Sequence, residues 1–467
     1  MPSFQFIGQY LGRSKNVGTV RYVNLFPHQT QDGRMVAFGT PGTVRLAQLG
    51  GLPIRGMLVM GDYLYIATGT AFYRMDSTYA VTQVGTLDTA SGNVQMASNG
   101  QQLIIVDGSY GYIWTPGTST FAKITSAAFP AASSVCFLDG YFIVNAVNTN
   151  TFFYSGLYDG FSWNALDYNA AEAAPDNVVG VLATFGFLYV FGQYTTELWY
   201  DAGDPLSVFR RADGMVNNVG LLAPASAAKV GDTGNMVCWL ATSNAGRGYV
   251  VASAGGSQTQ RISTPEIEYL WAQYETLSDA VAYGYTTEGH TFYVLTFPTA
   301  NTTWVYDFQT QAWHERSTNG GRHVGQNYAF FTDIHVIGSG LDGSVYQMHM
   351  DTYDDAGLAI QRTLISPTMG DDDTGLVSYL SMQVDMERGM GLPSGQGSDP
   401  KLMLAWSDDS GHSWCDEIMG GIGQQGNYTL RVIFRRLGRS FRRTWRVRIS
   451  DPVKVVIQSA VIKTRVS

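Results

Sequence analysis

The sequence predicts an all-β protein: a β-propeller of about seven blades followed by a smaller, β-sandwich-like C-terminal domain. Three observations lead there. A turn-plus-strand unit recurs at a spacing of roughly 40 to 55 residues. The composition is turn-rich and aromatic, with 53 Gly, 27 Tyr and 23 Phe but only 14% charged residues against a typical ~25%. Past an acidic stretch near residue 351 the repeat stops, while strand-like runs continue.

At 467 residues and 45% hydrophobic content the chain can bury a sizeable core. So few charges suit either a chain packed against other subunits or an ordinary secreted β protein. A net charge of −9 gives no general signal for nucleic acid. Cys136, Cys238 and Cys415 are odd in number, far apart and without metal spacing, so neither a disulfide framework nor a zinc site is expected, and synthesis in a reducing compartment is favoured. The N-terminus lacks the order of a signal peptide. The most apolar window, Val178–Phe191, falls short of the ~20 residues a bilayer span needs. No export by a Sec signal and no membrane insertion are expected.

In chain order, residues 1–50 read as an extended N-terminal segment. Its strands Met35–Gly39 and Thr43–Leu49 flank the turn Thr40-Pro41-Gly42, and Met35–Leu49 is placed to supply an outer strand that closes the ring. Residues 51–350 form the propeller. Its unit is a Gly, Asp or Asn turn and then an aromatic, β-branched strand, starting at Gly61, Gly100, Gly140, Gly186, Gly234, Gly289 and, weakly, Thr332. A second strand follows each, as in Gly186–Tyr200, where Phe187–Phe191 precedes Thr195–Tyr200. In this stretch Glu197 reads as a strand-edge acid and Trp199 as a packing aromatic. One short helix is expected after Ser263-Thr264-Pro265-Glu266, with Ile267, Leu270, Trp271 and Tyr274 near one face, bracing two blades. Residues 351–375 read as an acidic linker, with Asp371-Asp372-Asp373 as a solvated loop that lacks calcium-ligand spacing. Residues 376–467 make the C-terminal all-β domain, with strands at Val377–Met386, Leu402–Trp406, Tyr428–Phe434, Thr444–Ile449 and Val453–Lys463.

Catalytic and cofactor signatures are missing: there is no HExxH, GxSxG, P-loop or dinucleotide fingerprint. No catalytic, cofactor or metal residues are assigned, and no cofactor is expected. The seven histidines are scattered, and His314, His335 and His349 read as packing or surface residues. Ser407, Asp409, Gly411 and Trp414 fit the Asp-box pattern S-x-D-x-G-x-x-W, also found in sialidases. There the Asp and Ser side chains tie up turn donors, Gly supplies a positive φ and Trp anchors the hairpin, so the motif is a structural turn. Between Arg431 and Arg448 lie eight arginines and no acid. Arg435, Arg436, Arg439, Arg442, Arg443, Arg446 and Arg448 have two readings, subunit-interface pairing and contact with DNA in a channel. Arg446 and Arg448 share one strand face, opposite Trp445 and Val447, which favours an exposed basic face and places interface pairing ahead.

Several segments together resemble the packaged-DNA stabilisation proteins, the tail hub or nozzle proteins of short-tailed bacteriophages. They are Val23-Asn24-Leu25-Phe26-Pro27; Phe191-Gly192 with Thr196–Tyr200, continued by Gly203, Pro205, Phe209 and Gly214; Trp239-Leu240 with Gln260–Thr264 and Ile267-Glu268; Tyr306-Asp307-Phe308 with Trp313, Glu315 and Arg316; and Trp406–Trp414 with Arg435–Gly438 and Ser450–Lys454. No one segment is specific, but together and in order they span most of the chain. His28 stands where the family has an acid, and Ala241 replaces a glycine. The resemblance implies a non-enzymatic virion protein of a short phage tail, assembled in the bacterial host cytoplasm as a homo-oligomeric ring, a hexamer by family analogy. It implies a ring that prolongs the DNA channel below the portal-adaptor ring, helps retain packaged DNA, and docks the tail needle and the tailspikes or fibres. The alternative is a propeller glycosidase or a glycan- or receptor-binding protein acting on the host surface. A glycosidase needs paired carboxylates at the propeller mouth, and the repeat strands are poor in acids.

Overall fold

The structure is a computed structural model that describes residues 3–4, 20–204, 207–370 and 375–466. Seven small antiparallel sheets succeed one another along the chain: blade 1 at 54–86, blade 2 at 95–123, blade 3 at 135–170, blade 4 at 178–217, blade 5 at 220–261, blade 6 at 281–318 and blade 7 from 325 to 349. The second strand of each blade is the apolar run that marks the repeat. Leu103–Val106, Phe187–Gly192 and His290–Phe297 are buried almost throughout, because neighbouring blades cover both their faces. Continuous burial explains why these runs do not alternate.

First strands of successive blades lie against one another around the centre, and that of blade 7 returns to that of blade 1. The approach is close enough to require glycine. A Cβ on Gly56 would stand 2.2 Å from the Val94 carbonyl oxygen, and one on Gly284 would stand 2.5 Å from that of Lys229. Blade 7 supplies only three strands of its own. Its fourth is Gly42–Gln48, paired antiparallel with Ser344–His349, so strands from the two ends of the propeller close the ring. The helix Pro265–Trp271 packs between blades 5 and 6, with Trp271 fully buried against a core that includes Cys238, Leu240, Tyr293 and Leu295. Its Thr264 cap makes no side-chain hydrogen bond, and Ser263 Oγ instead bonds Glu268 Oε1 at 2.6 Å.

The C-terminal domain is two sheets over one core that contains Met382, Leu402, Leu404, Leu437, Trp445 and Ala460. One sheet runs Leu25–Gln29, Met35–Gly39, Val456–Val466, Val377–Met386, Val432–Arg435. The other runs Arg21–Val23, Arg362–Ile365, Arg442–Ile449, Lys401–Ser407, Ile418–Gly421. Through a parallel bridge between Val23 and Glu315 this second sheet continues into the last strand of blade 6.

Two readings change here. Among the described residues of the N-terminal segment, 42–48 supplies the blade strand, whereas 21–39 pairs within the sandwich sheets and touches blade 6 at Val23. Residues 351–375 are not a bare linker: Asp355 pairs beside Thr43, and Arg362–Ile365 is a central sandwich strand. Arg21–Val23, Asp354–Asp355 and Arg362–Ile365 are two to four residues long, and each has a partner some 300 positions away, so local pattern does not reveal them. Asp371, Asp372 and Asp373 lie outside the described residues.

Candidate functional site

The arginine run divides three ways. Within Arg442–Ile449, residues 443, 445, 447 and 449 face the sandwich core, and alternation sends Arg443 in with them. Its side chain is 1% exposed and forms a fork to Asp408, with Nε to Oδ1 at 2.6 Å and Nη2 to Oδ2 at 2.9 Å. Nη1 donates to the Leu437 carbonyl. The guanidinium carbon lies 4.5 Å from the Tyr379 ring centroid and 5.0 Å from that of Trp406. Arg443 is therefore a core residue and is withdrawn from the interface and DNA-channel set.

Arg446 and Arg448 do share a face, but a half-buried one. Both reach Glu417, at 3.4 Å and 2.5 Å, and Arg446 stacks over Trp414 at 4.5 Å. With Arg21 they line a polar cleft of about 340 Å³ between blade 6 and the sandwich. Arg21 forms its own fork to Glu315, at 2.6 and 2.8 Å. Arg442 is half-buried opposite Gly370. Arg435, Arg436 and Arg439 are exposed along the free edge of the other sheet, beside Val377–Met386.

In the Asp-box turn, Ser407 Oγ accepts from the Gly411 amide at 2.7 Å. Asp409 Oδ1 accepts from the amides of His412 at 2.9 Å and Ser413 at 2.8 Å. Hydrogen bonds from the Ser407 and Ser413 hydroxyls, then from those amides, hold the Asp409 carboxyl below the usual carboxylate range. Gly411 has φ +88°. Trp414 is half-buried under Arg446 and stays outside the core. The turn also positions Asp408 for Arg443, a link between the two motifs that lies 35 residues apart in sequence.

Glu197 is not an edge acid. It is 1% exposed, accepts from the Ala173 amide at 2.7 Å and from the Trp199 indole at 2.9 Å, and pins the segment before blade 4. The first strands enclose a cavity of about 490 Å³ whose lining is apolar and polar-neutral apart from Lys229 and Cys136. Burial lowers the Lys229 pKa and pushes the Cys136 thiol up to about 12.

Among the histidines, His314 is buried against Phe26 and Phe292, and its pKa lies well below the ordinary value, first through burial and then through Arg316 and His290. His335 meets the Tyr328 hydroxyl at 2.9 Å, and His349 is exposed. Sequence reasoning missed His28, whose Nδ1 lies 2.7 Å from His290 Nε2, while His290 Nδ1 lies 2.8 Å from Asp307 Oδ2. This chain ties the N-terminal hairpin to blade 6. Asp355 and Arg362 are also buried at the junction: burial pushes Asp355 up to about 6 and Arg362 down to about 10.

Two family models match the chain in order. The bacteriophage P22 Gp10 β-propeller model matches residues 14–353, and the P22 Gp10 β-sandwich model matches 361–465. No curated protein matches. Similar solved structures include the extracellular domain of a hybrid two-component system from B. thetaiotaomicron, with TM-score 0.44, 9% identity, and coverage of 75% of this chain and 43% of that one. A second structure of that domain, described as a one-component system, has TM-score 0.46 and 9% identity, covering 88% and 58%. YCF48 bound to D1 peptide has TM-score 0.40 and 10% identity, covering 67% and 97%. The chain thus spans about half the length of the first two.

Proposed function

This chain belongs to the bacteriophage P22 Gp10 family of phage stabilisation proteins, and on that premise we propose that it is a structural ring component of a short phage tail. In this reading it prolongs the DNA channel below the portal-adaptor ring, helps retain packaged DNA by geometry, and offers docking surfaces to the needle and the tailspikes. The observation that carries the proposal is the pair of family matches, which together take in both the propeller and the sandwich in order.

Two features of the fold support it. A ring closed by pairing Gly42–Gln48 with Ser344–His349 leaves no long strand edge at the seam and suits a part that bears load. The central lining, apolar and polar-neutral apart from Lys229 and Cys136, is unlike the paired carboxylates of glycoside hydrolysis.

Particles made without this chain test the reading. They should package DNA and then lose it, so that most particles sediment as empty shells. Full-density particles shown by mass spectrometry to lack the chain would contradict it.

A further inference from the structure

The strands Val456–Val466 and Val377–Met386, with the short strands Val432–Arg435 and Arg439–Ser440 beside the latter, expose one face to solvent opposite the sandwich core. Register sets their cations in rows. Lys463 and Arg435 flank Ser381, and Arg465 and Arg439 flank Ser378. With strands about 4.8 Å apart, the two cations of a row leave the sheet roughly 10 Å from each other across a small hydroxyl residue. Arg431 extends the pattern, its guanidinium bonding Gln383 Oε1 at 2.6 Å. All four row cations are exposed, and none is in an ion pair among the described residues, in contrast to Arg443, Arg446 and Arg448. The carboxylate that shares this face is Asp385, beyond Gln383 at the far end.

An interface between protein subunits is usually depleted of charge at its centre, and mixed signs fix its register. Four cations of one sign, without an ion pair among the described residues and set in two rows about Ser378 and Ser381 on either side of a bulge at Leu380, match instead an array of phosphates. We propose that this face, carrying Arg435, Arg439, Lys463 and Arg465, holds the phosphate backbone of duplex DNA without reading its sequence. The proposal rests on the reading of the protein as a DNA-channel component, and it names the surface that the DNA meets. No base-reading device accompanies the cations, so contact is weak, salt-dependent and compatible with DNA sliding past.

The test uses the full chain in its native assembly state and a random-sequence 30-bp duplex, titrated from 50 to 200 mM salt. Each phosphate contact contributes about −0.9 to the slope of log K against log salt, so a slope near −3 to −4 is expected. The variant carrying Arg435→Gln, Arg439→Gln, Lys463→Gln and Arg465→Gln should bind at least ~10-fold more weakly at 50 mM salt, with the slope falling towards zero. The variant carrying Arg435→Lys, Arg439→Lys and Arg465→Lys keeps the charge and should retain binding, which separates charge from fold. Melting curves check both variants for native stability. No duplex binding by the unaltered chain at 50 mM salt, equal binding by the glutamine variant, or loss of self-association with DNA binding intact would each overturn the proposal. If the glutamine variant loses duplex binding but particles built with it still hold their DNA, the surface assignment stands and the retention reading fails.

Discussion

Arg443 keeps its charge inside the sandwich because each part of the guanidinium is used: the Asp408 fork, the Leu437 carbonyl and the ring faces of Tyr379 and Trp406. Arg443→Met should destabilise the domain by about 3 kcal/mol in chemical denaturation, at the low end for a broken buried pair because Asp408 is 44% exposed and rehydrates. Asp355 gives a pH signature. Its folded pKa, near 6, lies above the unfolded value, so the native state holds the extra proton and stability falls as pH rises from about 4 to 6. The full effect is about 3 kcal/mol, and Asp355→Asn should flatten that part of the stability profile. Asp409 has the opposite sign: its depressed pKa means stability is present above the ordinary Asp range and is lost as pH falls below it. The protection factors of the His412 and Ser413 amides should therefore fall on acidification below pH 4, and Asp409→Asn should lower them already at pH 7. The Asp-box bonds follow from residue types at fixed local spacing and were legible. The fate of each arginine was not, because it depends on one step of strand phase and on an acid 29 to 35 positions away.

Blade strands were readable because burial on both faces forces an aromatic and β-branched run between Gly-containing turns: Phe187–Gly192 is one residue longer than expected from sequence, and in the sandwich Val377–Met386 has the expected boundaries. The strands that join the parts, Arg21–Val23 and Arg362–Ile365, are short and flanked by partners from distant segments, so nothing local announces them. The close backbone approach between blades 1 and 2 is testable at Gly56. Gly56→Ala must push the Val94 carbonyl away, and it should cost about 1–3 kcal/mol in urea denaturation while leaving the far-UV spectrum unchanged. An unchanged midpoint would mean that blades 1 and 2 do not meet as described.

At the scale of the molecule, propeller and sandwich are not separate beads. The segment 21–48 pairs first with the sandwich and then with blade 7, and the Val23–Glu315 bridge makes one sheet continuous across the boundary. A single cooperative thermal transition is expected by calorimetry, because melting either part strips strands from the other. That coupling suits the role proposed above for this member of the P22 Gp10 family, a ring component that stays closed around packaged DNA. The most direct check is an image reconstruction of intact particles without imposed icosahedral symmetry. A ring built from copies of this chain is expected at the tail vertex, encircling the DNA path with the Arg435–Lys463 face of each copy towards it. Their presence only at other sites of the particle, or away from the channel axis, would contradict it.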